Sequence, residues 1–357
     1  MRASRLTLVL SLALVAAACG SGSDTAPSTV APSTAATTTT AAATTTSPST
    51  EAPTTTAAAT TTTEAPKPVW PLTGLPLDDP AAAQKPAIVV KVGNYDAHPQ
   101  RNSQHADIIY EEIINANVTR FAFVFQSDSA AEVGPVRSGR RQDVDLLGSL
   151  NRPVFAWAGG NRTVTDEIEA SDLVDLSQLH CKNTCYRSGD DKPVEFTLMF
   201  NIDKIKALDF PDAGAPPQQF LYRKDGEAPA GRPSAGIDLK METYKIGWTW
   251  NAKTGLYERT QNGKPDKDRS GEQVTTSNVV VLVMTYNPGI SNSPDAVSVG
   301  TGEAWVHSGG SVVHGTWKRT DRSQTFTLID DDGNPIRLTP GRTFVELPRA
   351  DSTLPRG

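Results

Sequence analysis

The sequence predicts a mixed α/β fold of the α+β kind: an N-terminal part that alternates strand and helix, followed by a C-terminal β part. Three observations lead there. Apolar runs of strand length at 86–92, 119–126 and 153–157 are each followed by a polar loop and a helix start signal. Residues 211–236, rich in Pro, Gly and Ala, then interrupt the pattern. Beyond them come β-branched runs joined by short turns, which read as hairpins.

The first residues of the 357-residue chain do not belong to that fold. Arg2 and Arg5 precede a mostly apolar run at 6–15, and Ala16-Ala17-Ala18-Cys19 follows, the order of an export signal. The run is shorter than the roughly 20 residues of a membrane-spanning helix. The tetrapeptide resembles a bacterial lipobox, with Ala16 where Leu is usual. Residues 1–18 are therefore expected to be a lipoprotein signal peptide, and Cys19 to carry the lipid that anchors the protein outside the cytoplasm. Residues 20–66 are almost wholly Thr, Ala, Ser and Pro. Such a tract has too few large apolar groups to offset its ordering entropy, so 19–68 reads as an anchored, disordered tether. The signal holds two of the 34 basic residues and none of the 40 acidic ones, which leaves 32 against 40 and a mature charge of −8. That balance argues against nucleic acid as a partner.

Residues 69–210 form the N-terminal part. The run at 86–92 reads as a buried strand, and its loop holds Asn94, Asp96 and His98. Ser103 is a candidate cap for a helix at 104–115, with Ala106, Ile109, Tyr110 and Ile113 on one face. The strand at 119–126 leads through Asp128 to the Gly134-Pro135 turn. Ser138 is a candidate cap for a second helix, which would put Arg140 and Arg141 in its first turn, against the helix dipole. The strand at 153–157 ends at Gly159-Gly160-Asn161, and residues 163–166 resemble a capping box. If the crossovers are parallel, all three loops open at one sheet edge, where such sheets bind ligands.

Residues 237–350 form the C-terminal β part. Runs at 244–250 and 256–260 read as a hairpin, 278–286 as the strongest strand, and Gly309-Gly310 as a turn between two further strands. The acidic stretch at 330–334 lacks the remaining spacing of a calcium loop and reads as a turn. Three cysteines are present. With Cys19 lipidated, Cys181 and Cys185 remain as an even pair, expected to form a disulfide in an oxidising compartment. A metal site there would need further ligands beyond His180, and none is evident.

Several motifs together resemble a known family. They are the segment 106–111 (ADIIYE), Thr119-Arg120-Phe121, Gly134-Pro135-Val136-Arg137-Ser138 with Arg140, and Ala158-Gly159-Gly160. In the second half, Gly302-Glu303-Ala304, Gly315-Thr316-Trp317 and Pro340-Gly341-Arg342-Thr343 continue the match. These look like the two parts of the YerB-like lipoproteins, a family of unknown function, over about residues 70–348. The resemblance implies two sheet layers and one helix layer, export and a lipid anchor, and no established activity. The family usually has an acidic residue before the Asn that ends its first strand; here Gly93 precedes Asn94. It commonly shows Pro-His-Asn where this chain has Pro193-Val194-Glu195.

No nucleophile elbow, phosphate loop or paired-histidine motif is present, and no cofactor is expected. The candidate ligand-binding residues are Asn94, Asp128, Arg137, Ser138, Arg140, Arg141, Gly159, Gly160 and Asn161. Asp107 and Glu111, four apart on the expected helix, are candidate acid or base groups beside them. Three readings stay open. The first is a binding or scaffold module that takes an anionic envelope glycopolymer or a partner protein through the arginine turn. The second is an envelope hydrolase or transferase using those carboxylates. In the third the arginines pair with internal acids and serve structure alone.

Overall fold

The computed structural model describes residues 67–350 and 352–356, apart from 96–97 and 190–191. The signal peptide, Cys19, the tether up to residue 66 and Asp96 lie outside the described residues.

The fold is mixed α/β and dominated by strands. The first part contributes β1 (Ile88–Gly93), β2 (Ile108–Ile114), β3 (Val118–Phe125), β4 (Val154–Trp157), β5 (Val174–Ser177) and a small hairpin of β6 (Cys185–Arg187) with β7 (Leu198–Phe200). The second part contributes β8 (Gly236–Met241), β9 (Tyr244–Asn251), β10 (Leu256–Gln261), β11 (Asn278–Leu282), β12 (Gly300–Ser308), β13 (Ser311–Arg319), β14 (Thr327–Asp330) and β15 (Thr343–Leu347). An eleven-stranded sheet runs β14-β13-β12-β11-β15-β2-β3-β1-β4-β5, with residues 232–233 added on β13. Strands of both parts thus share one sheet, joined where β2 pairs in parallel with β15. A second, antiparallel sheet is built on β8, β9 and β10.

Alternation along each strand assigns its side chains to two cores. Val90, Val92, Ile109, Phe121 and Phe123 pack with Ile237, Leu239, Ile246 and Trp248 of the second sheet. Val89, Ile108, Tyr110, Ala122 and Val124 pack on the opposite face with Leu146, Leu147, Val164 and Ile168. The last four come from α1 (Gln142–Leu146), the residue that ends it, and α2 (Arg162–Glu169).

Five expectations are corrected. Residues 104–115 are not a helix: a 3-10 turn at Ser103–His105 leads into β2. Their apolar spacing fits both periods. The outcome follows from the neighbours, since β3 and β15 flank β2 and satisfy its backbone. The second helix runs only from Gln142 to Leu146, and Ser138 does not cap it. Arg141 is its N-cap, Arg140 precedes it, and Asp143 accepts the Arg140 N–H at 2.6 Å. The third helix is present, but Asn161 caps it by accepting the Thr163 N–H at 2.9 Å. Finally, β1 and β3 are antiparallel, whereas β1 and β4 are parallel. The loops after β1 and β4 therefore share an edge, and the loop after β3, with Asp128, lies at the other. The hairpins at 244–261 and 300–319 are as expected, and a further strand lies at 343–347. The strand begun at 278 ends at Leu282 rather than at 286.

Candidate functional site

At the edge shared by the ends of β1, β2 and β4, the arginine turn lies between two strands. The Gly93 N–H donates to the Pro135 carbonyl at 3.0 Å, and the Arg137 N–H to the Lys91 carbonyl at 2.8 Å. On the other side the Ala158 N–H donates to Arg137, and the Gly139 N–H to Gly159, each at 3.1 Å. The turn thus continues the sheet where β1 has run past β4. Gly139 permits the approach: a Cβ there would sit 2.6 Å from Ile168 Cδ1 and 2.9 Å from Trp157 Cε3.

This placement brings Arg137 and Arg140 to Arg120, near the start of β3. The three line one cleft of about 180 Å3 with Asn94, Asn115, Thr119 and Phe196. Arg120 is 8% exposed and donates to the Ser138 carbonyl at 2.6 Å. Its remaining N–H groups meet no hydrogen-bond acceptor among the described residues. Arg140 donates to the Gly139 carbonyl at 2.9 Å and to Asn115 Oδ1 at 2.8 Å, while its buried Nε has no acceptor among the described residues. Arg137 donates to the Glu195 carbonyl at 2.9 Å and lies 4.6 Å over the Phe196 ring.

The electrostatics are unbalanced. Among the described residues, neither Arg120 nor Arg140 forms an ion pair with a carboxylate. Burial lowers the Arg120 pKa well below its ordinary value, and the charges of Arg140 and Arg137 lower it further. Burial lowers that of Arg140 too, with Glu112 and Asp143 opposing at longer range. Beneath them Lys91, fully buried, pairs with Glu112 and, at 2.6 Å, with Asp143. Burial, then the Asp143 charge, pushes the Glu112 carboxyl up to about 7. Lys91, Arg120 and Arg140 thus face two carboxylates, one of them part-neutral near pH 7. A buried excess of positive charge is costly unless an anion accompanies it.

The other candidates divide. Asn94 lines the cleft, its amide held by Thr119 at 2.8 Å and Gln261 at 3.0 Å. Ser138 contributes its carbonyl to Arg120 and lines an adjoining cleft. Gly159, Gly160 and Asn161 are at the same edge without lining the arginine cleft, and Asn161 serves its helix. Arg141 is turned away, paired with Asp295 and, at 3.2 Å, with Glu167. Asp128 pairs with His105 at 2.8 Å at the opposite edge. Asp107 is buried and accepts from the Gln126 and Ser127 backbone at 2.5 and 2.8 Å; burial raises it to about 6 despite those bonds. Glu111 pairs with the buried Arg259 at 2.5 Å. On a strand, residues four apart share a face but stand about 13 Å apart, so these two carboxylates do not act together.

Arg120 and Phe196 are among the cleft residues that escaped the sequence reading. Arg120 was visible within its motif, yet nothing in one sequence tells that a strand's first arginine turns under a loop from elsewhere. Phe196 comes from a segment with no periodic signal. The cysteines at 181 and 185 are bonded, with Cα atoms 5.7 Å apart.

Comparison with known proteins adds the family. The N-terminal domain model of DUF3048, a protein family of unknown function, matches residues 72–214, and its C-terminal domain model matches 237–345. A Bacillus subtilis (strain 168) protein named "Putative lipoprotein YerB" is 23% identical over 287 residues, 78% of this chain and 85% of that one. The crystal structure of YerB protein from Bacillus subtilis superposes with a TM-score of 0.70 at 21% identity, over 82% of this chain and 100% of that one. At that identity the likeness shows the fold.

Proposed function

Because the chain belongs to the DUF3048 family, one of whose relatives carries the name of a lipoprotein, we propose that it is an exported, lipid-anchored binding module of the cell envelope that takes an anionic group in the arginine cleft. Cys19 is the anchor in this reading, and residues 19–68 let the folded part reach away from the membrane. The two sheet layers and one helix layer are a rigid frame, and the site occupies the edge where the frame's strands end. The observation that carries the reading is the meeting of Arg120, Arg137 and Arg140 in one cleft, with Arg120 and Arg140 unaccompanied by a carboxylate among the described residues. Guanidinium groups bind phosphate or carboxylate through paired N–H donors, and their strength grows out of water. Asp107, Glu111 and Asp128 do not line the cleft, so no observation favours acid–base chemistry there. The test is calorimetric titration of the mature protein with an anionic, phosphate-bearing envelope glycopolymer. Wild type should bind and Arg140→Gln should bind at least about tenfold more weakly, the loss of one charge-assisted contact. Equal affinity in both would count against the site.

A further inference from the structure

A second cleft, of about 280 Å3, adjoins the first across Arg137. Its lining differs in chemistry. Val136, Ala158, Val194 and Leu198 supply apolar surface, and Ser138, Gln178, Glu195 and Arg187 supply polar groups. Among the described residues, Ser138 Oγ and Gln178 Nε2 have no hydrogen-bond partner, and Arg187 has no carboxylate partner. Arg187 instead donates to the Val194 carbonyl, which ties the wall of this cleft to β6. Donors and acceptors of both kinds around an apolar floor suit a sugar or cyclic polyol, which presents hydroxyls at its rim and C–H groups on its faces. A polyanion would meet Glu195 there. The arginine cleft, at about 180 Å3, is the smaller of the two and, lined by three guanidinium groups, suits a single charged group. Arg137 stands between the two, fixed by the Glu195 carbonyl and the Phe196 ring.

Resting on the proposed anion site, we infer that the ligand is a sugar phosphate unit, with its phosphate in the arginine cleft and its sugar in the adjoining cleft across Arg137. The shared chemistry can be presented by a glycopolymer repeat or by the headgroup of a glycosylated phospholipid. The sugar cleft supplies the selectivity, since a hydroxyl-binding site leaves its own polar groups unpaired when the hydroxyls are missing.

The experiment is titration of the full mature chain with inorganic phosphate, glycerol 3-phosphate and glucose 1-phosphate, repeated on Gln178→Ala and Arg120→Gln. Folding of each variant is checked by its thermal melt. Glucose 1-phosphate should bind at least about tenfold tighter than inorganic phosphate, the worth of one or two added hydrogen bonds. Gln178→Ala should erase most of that advantage, and Arg120→Gln should weaken all three probes. Equal affinity for the three phosphates, or an advantage that survives Gln178→Ala, would overturn the sugar assignment while leaving the anion site standing. Binding of none of the probes, or binding indifferent to Arg120→Gln, would overturn the anion site and the inference with it. A parallel arm with vesicles bearing phosphatidylinositol separates the sources: capture by vesicles without binding of the soluble sugar phosphate would overturn the assignment to a sugar phosphate unit in favour of a membrane surface.

Discussion

Arg120 and Arg140 both donate to the carbonyl oxygen of Ser138, at 2.6 and 3.5 Å, and neither forms an ion pair with a carboxylate among the described residues. Two like charges are thereby drawn to one acceptor at the end of a sheet. The same molecule shows what an internally satisfied arginine looks like. Arg259 is fully buried, meets Glu111 at 2.5 Å and also pairs with Asp266. Burial acts against its charge, and the carboxylates of Glu111, Asp266 and Glu346 outweigh burial, so its pKa is raised. Arg120, almost as buried, is shifted the other way. The contrast separates an arginine whose charge is matched by carboxylates inside the fold from one whose charge is not.

Anion binding should depend on pH through Glu112. That side chain faces Lys91, Asp143 and Gln142, and it interacts with Arg120, Arg140 and Tyr286. A bound anion disfavours its charged form, so binding takes up a proton near its value of about 7. Sulfate, which stays doubly charged across this range, should bind more tightly as the pH falls from about 8 to about 6, by at most about tenfold per unit for one proton. A titration series showing affinity constant or rising with pH would contradict this.

Position can be tested apart from charge. Gly139→Ala places a methyl against Ile168 and Trp157. Overpacking of that kind costs about 1–3 kcal/mol. The variant should melt earlier and also lose anion affinity, because the turn moves off the sheet end while every arginine remains. A melt and an affinity equal to wild type would show that the turn tolerates displacement.

The proposed anchor, Cys19, lies outside the described residues, and its test is biochemical. Cys19→Ala should leave the protein soluble or unprocessed, because the diacyl group supplies the membrane affinity and the Thr/Ala/Ser/Pro tether supplies none. Fractionation that finds unchanged processing and unchanged membrane retention would contradict the lipid assignment.

The strands at 88–93, 118–125 and 154–157 were legible because apolar runs covered on both faces leave few alternatives. Strand β2 was not. Asp107 and Glu111 suggested two carboxylates on one helix face, and only the fold reveals that Glu111 and its neighbour Glu112 each meet a buried cation, Arg259 or Lys91. Mistaking that one element also misdirected β3, and with it the edge to which Asp128 belongs. Of the residues that line the arginine cleft, Asn94, Arg137 and Arg140 were legible from the loops. Arg141 was legible as charge but not as direction: one residue along the turn, it points at Asp295. The contribution of Arg120 depends on strand register, which a single sequence does not carry.

The central claim is that the arginine cleft is kept for an external anion. Thermal melts of wild type and Arg120→Gln, each with and without saturating sugar phosphate, test it most directly. The substitution removes a hydrogen bond to Ser138 but also a buried like charge, so without ligand the two proteins should agree within about 1 kcal/mol. Ligand at a hundredfold excess over the wild-type Kd should stabilise wild type by about 2.7 kcal/mol and the variant, bound more weakly, by clearly less. A variant destabilised by about 3–5 kcal/mol, beside a wild type that ligand does not shift, would mean that Arg120 is a structural charge and would contradict the account.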